Sequence, residues 1–356
     1  MLRKIALSAM VAGIASIMSM DGARAEIPDI DSSGWAVDPM KFGMSARDYI
    51  HAETHAFLAD FIDRVGLNTF YHFPGLSTAE DKWVVSPNND TIYSLATVNA
   101  REGFTLVVPD VGDRFLSIQI GTEDHVVPFY LYGGGTYKFS GNDFATDYVS
   151  VGIRTGTDGT PEDVAYVTGT LQPQYKIEGA LDADNLSRPN LKTMLKVRAA
   201  LIPEYDKLES TLDVQRTRTE DVDDWERYTY VTAGALGLSP DENAMYKPYA
   251  LPGAVGGKCY KATFPKVPAH AFFSVTVYGS DKFLMSNADN IVSSNRKVVL
   301  NDDGSFTVAF GDESCRHLAP NYAYTPKDGW SLLIRAYRPD VEAFSNYKIP
   351  TIEPVE

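Results

Sequence analysis

Cysteine is scarce in this 356-residue chain, which holds only Cys259 and Cys315. Two thiolates without a C-x-x-C pair cannot build a structural zinc site. They can form one disulfide in an oxidising compartment or stay as two buried thiols. Spacing does not choose between these, because the bond needs Cα atoms within about 7 Å. Positive charge is also short: 32 Lys and Arg stand against 47 Asp and Glu, for a net charge of −15. Such a surface repels phosphate backbones and anionic lipid, so neither nucleic acid nor a membrane is an expected partner. The signatures of a serine nucleophile, G-x-S-x-G or S-x-x-K in a supporting context, are missing. Gly133-Gly134-Gly135 has neither the lysine of a phosphate loop nor the spacing of a dinucleotide fingerprint, and reads as a turn. Phosphoryl and hydride transfer are therefore not indicated, and no cofactor is expected.

What is present begins with a leader. Arg3 and Lys4 precede an apolar run over 5–18, and Ala23-Arg24-Ala25 has the small-x-small pattern of a cleavage site. Cleavage after Ala25 is expected, with Glu26 as the new N-terminus and a periplasmic or secreted product. A retained anchor is less favoured, because the run falls short of the roughly 20 residues that a bilayer span needs. The remaining chain is long for one core, since domains usually hold about 100–200 residues.

The texture divides it. A polar lead and a helix occupy 26–80: Ser45-Ala46-Arg47-Asp48 resembles a capping box, Ile50, Phe57 and Phe61 follow at helical spacing, and Gly66 is a stop. Residues 81–178 read as a β-sandwich, with short apolar runs such as 104–108, 115–120 and 129–132 between Gly, Asp and Pro turns. Leu116, Ile118 and Ile120 alternate with Ser117 and Gln119, the period of a half-buried strand. From 179 to 255 the pattern turns helical. Leu191, Leu195, Leu201 and Leu208 form an amphipathic stretch interrupted by Pro203, and Val222, Trp225 and Tyr228 begin another. Ser239-Pro240-Asp241-Glu242 predicts one more helix start. Residues 256–356 are β again, with strands expected over 260–264, 272–278, 306–310 and 331–337. A hairpin is predicted at Asp303-Gly304, between 298–300 and 306–310.

Ser86-Pro87-Asn88-Asn89-Asp90-Thr91-Ile92-Tyr93-Ser94 precedes an apolar strand, Pro109-Asp110 and Arg114-Phe115-Leu116-Ser117. This arrangement resembles the domain-of-unknown-function family DUF1254. The C-terminal run Phe272-Phe273-Ser274-Val275-Thr276-Val277-Tyr278, with Asp303-Gly304-Ser305 and Gly329-Trp330 leading to Arg335-Ala336-Tyr337-Arg338-Pro339, is similar to its companion DUF1214. The resemblance implies an immunoglobulin-like β-sandwich, a small helical domain and a jelly-roll-like C-terminal domain, mainly β with a helical insert. It implies no activity. Where the family pattern has Asn-x-Leu-Pro before the last strand, this chain has Asn321-Tyr322-Ala323-Tyr324. If that loop shapes a pocket, the pocket is lined differently here.

The densest polar feature is 87–94. Asn88 and Asp90 suit an Asx-turn, a structural task. In a strand, Asn89, Thr91 and Tyr93 would share one face and Asp90, Ile92 and Ser94 the other. The functional reading makes Asp90 and Tyr93 candidate catalytic groups and Asn88, Asn89 and Thr91 candidate ligand contacts. His125 is a candidate base, although neighbouring Asp124 points the other way in an extended chain and a loop histidine is the plainer reading. Arg335 lies opposite the apolar stripe of Trp330, Leu332, Ile334 and Ala336. With Tyr337 it suits carboxylate recognition, or else an ion pair. His51 and His55 are four apart on the predicted helix and could share a metal with Glu53 or His72. Leu58 and Ile62 continue the same face, so packing is favoured and no metal site is expected. The functional expectation is a hydrolase or lyase acting on a small polar molecule at a cleft between β-domains. The alternatives are a periplasmic binding protein for a small ligand or carbohydrate, and a structural or assembly protein. A small molecule is the expected partner, with homo-oligomer formation left open.

Overall fold

The computed structural model describes residues 27–82 and 86–355, so the expected leader and cleavage site lie outside the described residues. Alternation of apolar and polar residues builds the first β unit. Its strands are β1 (Tyr71–His72), β2 (Thr91–Asn99), β3 (Phe104–Val108), β4 (Leu116–Thr122), β5 (Phe129–Tyr132), β6 (Gly135–Phe139), β7 (Tyr148–Gly156) and β8 (Lys176–Glu178). They form a large sheet in the order β1-β2-β7-β4-β5 and a small one in the order β6-β3-β8, antiparallel throughout. Ile92 and Val98 of β2, Ile118 and Ile120 of β4, and Val151 and Ile153 of β7 pack between the two sheets. Because successive side chains alternate, the opposite face of the large sheet carries what remains: Tyr93 and Leu95, Ser117 and Gln119, Gly152 and Arg154.

The second unit repeats the two-layer plan with β9 (Ala244–Ala250), β10 (Tyr260–Phe264), β11 (Ala269–Tyr278), β12 (Ile291–Ser293), β13 (Phe306–Gly311), β14 (Asn321–Tyr324), β15 (Ser331–Pro339) and β16 (Glu353–Pro354). The sheets run β12-β11-β15-β9 and β14-β13-β10-β16, antiparallel except for the β13–β14 pair. Phe264, Phe306, Phe310 and Trp330 fill the space between them. Cys259 and Cys315 are bridged, with Cα atoms 5.3 Å apart, which ties the start of β10 to the turn after β13.

Helices α1 (Ala46–Val65), α2 (Pro161–Tyr166), α3 (Leu191–Tyr205), α4 (Trp225–Gly234) and α5 (Val341–Ser345) complete the chain, which is mainly β with a helical insert. The Ser45 hydroxyl accepts the Asp48 N–H at 3.0 Å to start α1, and Gly66, at φ +93°, ends it. Tyr49 of α1 packs with Val197 and Leu201 of α3 and Tyr230 of α4. The Thr97 hydroxyl of β2 donates to the Leu58 carbonyl of α1 at 2.8 Å, so α1 lies against the polar face of the large sheet. Among the described residues no helix is long and apolar enough to cross a membrane.

Three expectations fail locally. The helix start at 239–242 makes a single turn, and β9 follows as an edge strand on β15. An edge tolerates Pro248, which has no N–H to pair, and strand pairing overrides the local capping signal. On α3 the buried residues are Met194, Val197 and Leu201, while Leu191 and Leu195 are exposed. Residues 298–300 form no strand, although the turn at Asp303-Gly304 is present, because β13 finds its partners in β10 and β14.

Candidate functional site

The polar segment before β2 is a latch between the two β units. The Asn88 side-chain oxygen accepts the N–H groups of Asp90 at 2.6 Å and Thr91 at 3.2 Å, which builds the predicted Asx-turn. Every other strong contact of the segment crosses to the second unit. Asn88 Nδ2 donates to the Tyr337 hydroxyl at 2.5 Å, and that hydroxyl donates to Asp90 Oδ2 at 3.0 Å. Ser274 donates to the same oxygen at 2.8 Å. Asn89 Nδ2 donates to Asn290 at 2.6 Å, while the Asn89 carbonyl accepts from Arg296 at 2.6 Å. Phe115 from β4's entrance packs on Phe272 and Tyr337, ring centroids 4.9 and 5.6 Å away. Asn89, Asp90, Thr91 and Tyr337 are buried in this joint.

The histidines have separate tasks. His125 sits at φ +68° in the turn after β4. Its Nε2 accepts the Gly237 N–H at 2.8 Å, which places the ring proton on Nδ1, 3.0 Å from the Thr232 hydroxyl. Burial pushes its pKa down to about 4, so the ring is neutral at ordinary pH. As a proton acceptor it would first have to release Gly237. Asp124 turns away from it, although through a turn and not through strand alternation, and holds His51 at 2.8 Å and Thr219 at 2.7 Å. His55 lies 2.6 Å from Glu123, Glu53 pairs with Arg198, and His72 bonds Ser94. The four groups considered for a metal each have a different partner.

Above the polar face of the large sheet is a cavity of about 290 Å³. The sheet contributes Tyr93, Leu95, Gln119, Ser150 and Arg154, α1 contributes Phe57 and Leu58, and the loop after α4 covers it with Leu236 and Leu238. The second unit closes one side with Tyr246 of β9 and Arg335 of β15. Asn88, Tyr93, His125 and Arg335 among the sequence candidates reach this wall, whereas Asn89, Asp90, Thr91 and Tyr337 do not line it. A wider surface depression of about 480 Å³ near Asp289 and Glu313 has both carboxylates paired with Arg316.

Two cross-strand pairs meet at the cavity. Tyr93 is the partner of Arg154 across β2 and β7, and the Arg154 guanidinium lies 5.6 Å from its ring centroid. Tyr246 is the partner of Arg335 across β9 and β15. Burial opposes both guanidinium charges, although a guanidinium keeps its proton at ordinary pH. The phenols of Tyr93, Tyr130 and Tyr246 surround Arg154, and Tyr278, Tyr337 and Asp90 surround Arg335. Burial raises Tyr93 and Tyr337, so these phenols stay neutral. Arg335 is used by the latch, donating to the Ser86 carbonyl at 2.8 Å and to Thr276 at 3.1 Å. Arg154 has one hydrogen bond among the described residues, to Ser239 at 3.1 Å. Ser239 in turn donates to Gln119, whose amide holds the Gly237 carbonyl at 3.0 Å, and this chain pins the covering loop.

Sequence reasoning missed Arg154, Gln119 and Tyr246. The available signal was the alternating face of β4 and β7, where glycine, serine and one arginine replace the usual exposed polar mixture. Small residues on a face that is later covered leave room for a guest. The Asn321-Tyr322-Ala323-Tyr324 departure lies in β14, where Tyr322 packs with Cys315, away from the cavity.

Residues 67–125 match the model described as a protein of unknown function, DUF1254, and residues 253–341 match the one described as a protein of unknown function, DUF1214. No curated protein matches the chain. Among solved structures it is similar to the VPA0106 protein from Vibrio parahaemolyticus, with TM-score 0.68 and 16% identity over 90% of this chain and 100% of that one. It is also similar to a putative uncharacterized protein from Burkholderia cenocepacia, with TM-score 0.50 and 15% identity over 89% of this chain and 86% of that one. At such identity the likeness is one of fold alone. The DUF1254 match precedes the DUF1214 match, the order in which the two sequence signatures stand.

Proposed function

We propose that this protein is an exported receptor that holds one small organic molecule in the cavity between its two β units. The observation that carries this reading is the cavity itself, walled by α1, the large sheet, the loop after α4 and the edge of the second unit. At about 290 Å³ it lies just under the roughly 300–1,000 Å³ typical of small-molecule sites, room for a small guest. Its lining has the usual composition, apolar walls with a few convergent polar groups. Binding is favoured over hydrolysis or elimination because the nearby reactive groups are committed. The Ser150 hydroxyl donates to the Gly121 carbonyl at 3.3 Å, Thr54 to the Glu123 carbonyl at 2.6 Å, and both His125 nitrogens are engaged. The Cys259–Cys315 bridge suits an oxidising compartment, which supports the export reading.

A thermal-shift screen of small organic compounds tests the proposal, since a ligand at about 100 times its Kd stabilises the native state by about 2.7 kcal/mol. Hits are expected to raise the melting temperature of the parent and to leave Leu236→Trp, whose ring fills the cavity from the covering loop, unchanged. Equal responses from parent and variant would place the ligands elsewhere and contradict the reading.

A further inference from the structure

The cavity's charge is not balanced by the protein. Asp90 acts on Arg335 and is itself held by Ser274 and Tyr337. Neither arginine forms an ion pair among the described residues. Arg335 spends donors on the latch, but among the described residues Arg154 uses one of its five N–H groups, on Ser239. Tyr93 and Tyr246 also line the cavity, and neither hydroxyl has a hydrogen-bond partner among the described residues. A sheltered cation with idle donors is costly unless something negative completes it.

We infer that the ligand is a monocarboxylate with an apolar body, its carboxylate seated on Arg154 between the Tyr93 and Tyr246 hydroxyls. This rests on the receptor reading and narrows its ligand class. The guanidinium fork matches the two oxygens of a planar carboxylate. Asp90 is shared by Arg335 and by Arg296 outside the cavity, so Arg154 is the lining cation whose single positive charge is left to satisfy. A phosphate monoester, at about −1.5 to −2 near pH 7, would overshoot it. Phe57, Leu58, Leu95, Val127 and Leu236 offer the rest of the ligand an apolar wall and no further charge.

Calorimetry at pH 7 with matched pairs decides it: phenylacetate against phenylacetamide, and hexanoate against hexanamide, with phenyl phosphate as the competing anion. The acid of at least one pair is expected to bind about tenfold or more tightly than its amide, the scale of a charge-assisted bond. Arg154→Gln should erase that preference while the amide binds as before. Tyr93→Phe should weaken the acid alone, and serves if Arg154→Gln does not fold. Equal binding of acid and amide to the parent would overturn the monocarboxylate but leave the receptor standing, and so would tighter binding of phenyl phosphate. If none of the five compounds binds, the monocarboxylate assignment falls. A screen that also finds no cavity ligand removes the receptor with it.

Discussion

At the scale of single residues, the chemistry follows from which side of a strand a side chain occupies. Arg335 was legible because Trp330, Leu332, Ile334 and Ala336 mark the buried stripe and leave Arg335 on the other face. Arg154 obeys the same alternation, but nothing local says that its face of β7 will be roofed by helices rather than by water. His125 looked like a base, and tertiary partners give it another task. Its depressed pKa carries a pH signature. The native state binds fewer protons than the unfolded state between the ordinary 6.5 and about 4, so this stability is fully present above 6.5 and is lost as pH falls towards 4. Tyr228 packs on the ring and Asp124 is its chain neighbour, but neither bonds the imidazole, so the main effect is its own burial. The loss is of order 3 kcal/mol across that window. Urea midpoints measured from pH 7 to pH 4 should fall less steeply for His125→Gln than for the parent; parallel slopes would contradict the assignment.

At the scale of elements, strands with clean alternation were readable and those defined by distant partners were not. The sequence places strands at 260–264 and 306–310 within a residue of β10 and β13. β9 hides behind a helix-start signal, since only its pairing with β15 makes 244–250 extended. Leu191 and Leu195 misled the phase of α3 because leucine marks the core only on average. The entrance to β2 shows a motif read as crowded for a turn and found crowded for a joint. Its side chains bond Tyr337, Ser274 and Asn290 across the two units. Asp90→Asn removes charge from a buried acceptor, so it should cost about 1–3 kcal/mol in denaturant unfolding. Because Asp90 does not line the cavity, the variant should still answer every ligand of the parent. Unchanged stability with lost ligand response would return Asp90 to the site.

At the scale of the whole molecule, composition stated the surface and concealed the interior. A net charge of −15 describes the outside, yet two cations, Arg154 and Arg335, line a cavity that the sum does not reveal. The mainly β architecture and the helical insert were readable from texture and from the two family signatures. The site was only half readable, because it is made where parts of the chain distant in sequence meet. One face comes from the first unit, one edge from the second, and a loop after α4 is pinned over both by Ser239, Gln119 and His125. The most direct test of this account is a crystal structure of the protein with its tightest-binding monocarboxylate. The account predicts the carboxylate within hydrogen-bond distance of Arg154, with the apolar body against Leu95 and Leu236. Ligand density anywhere else on the molecule would contradict it.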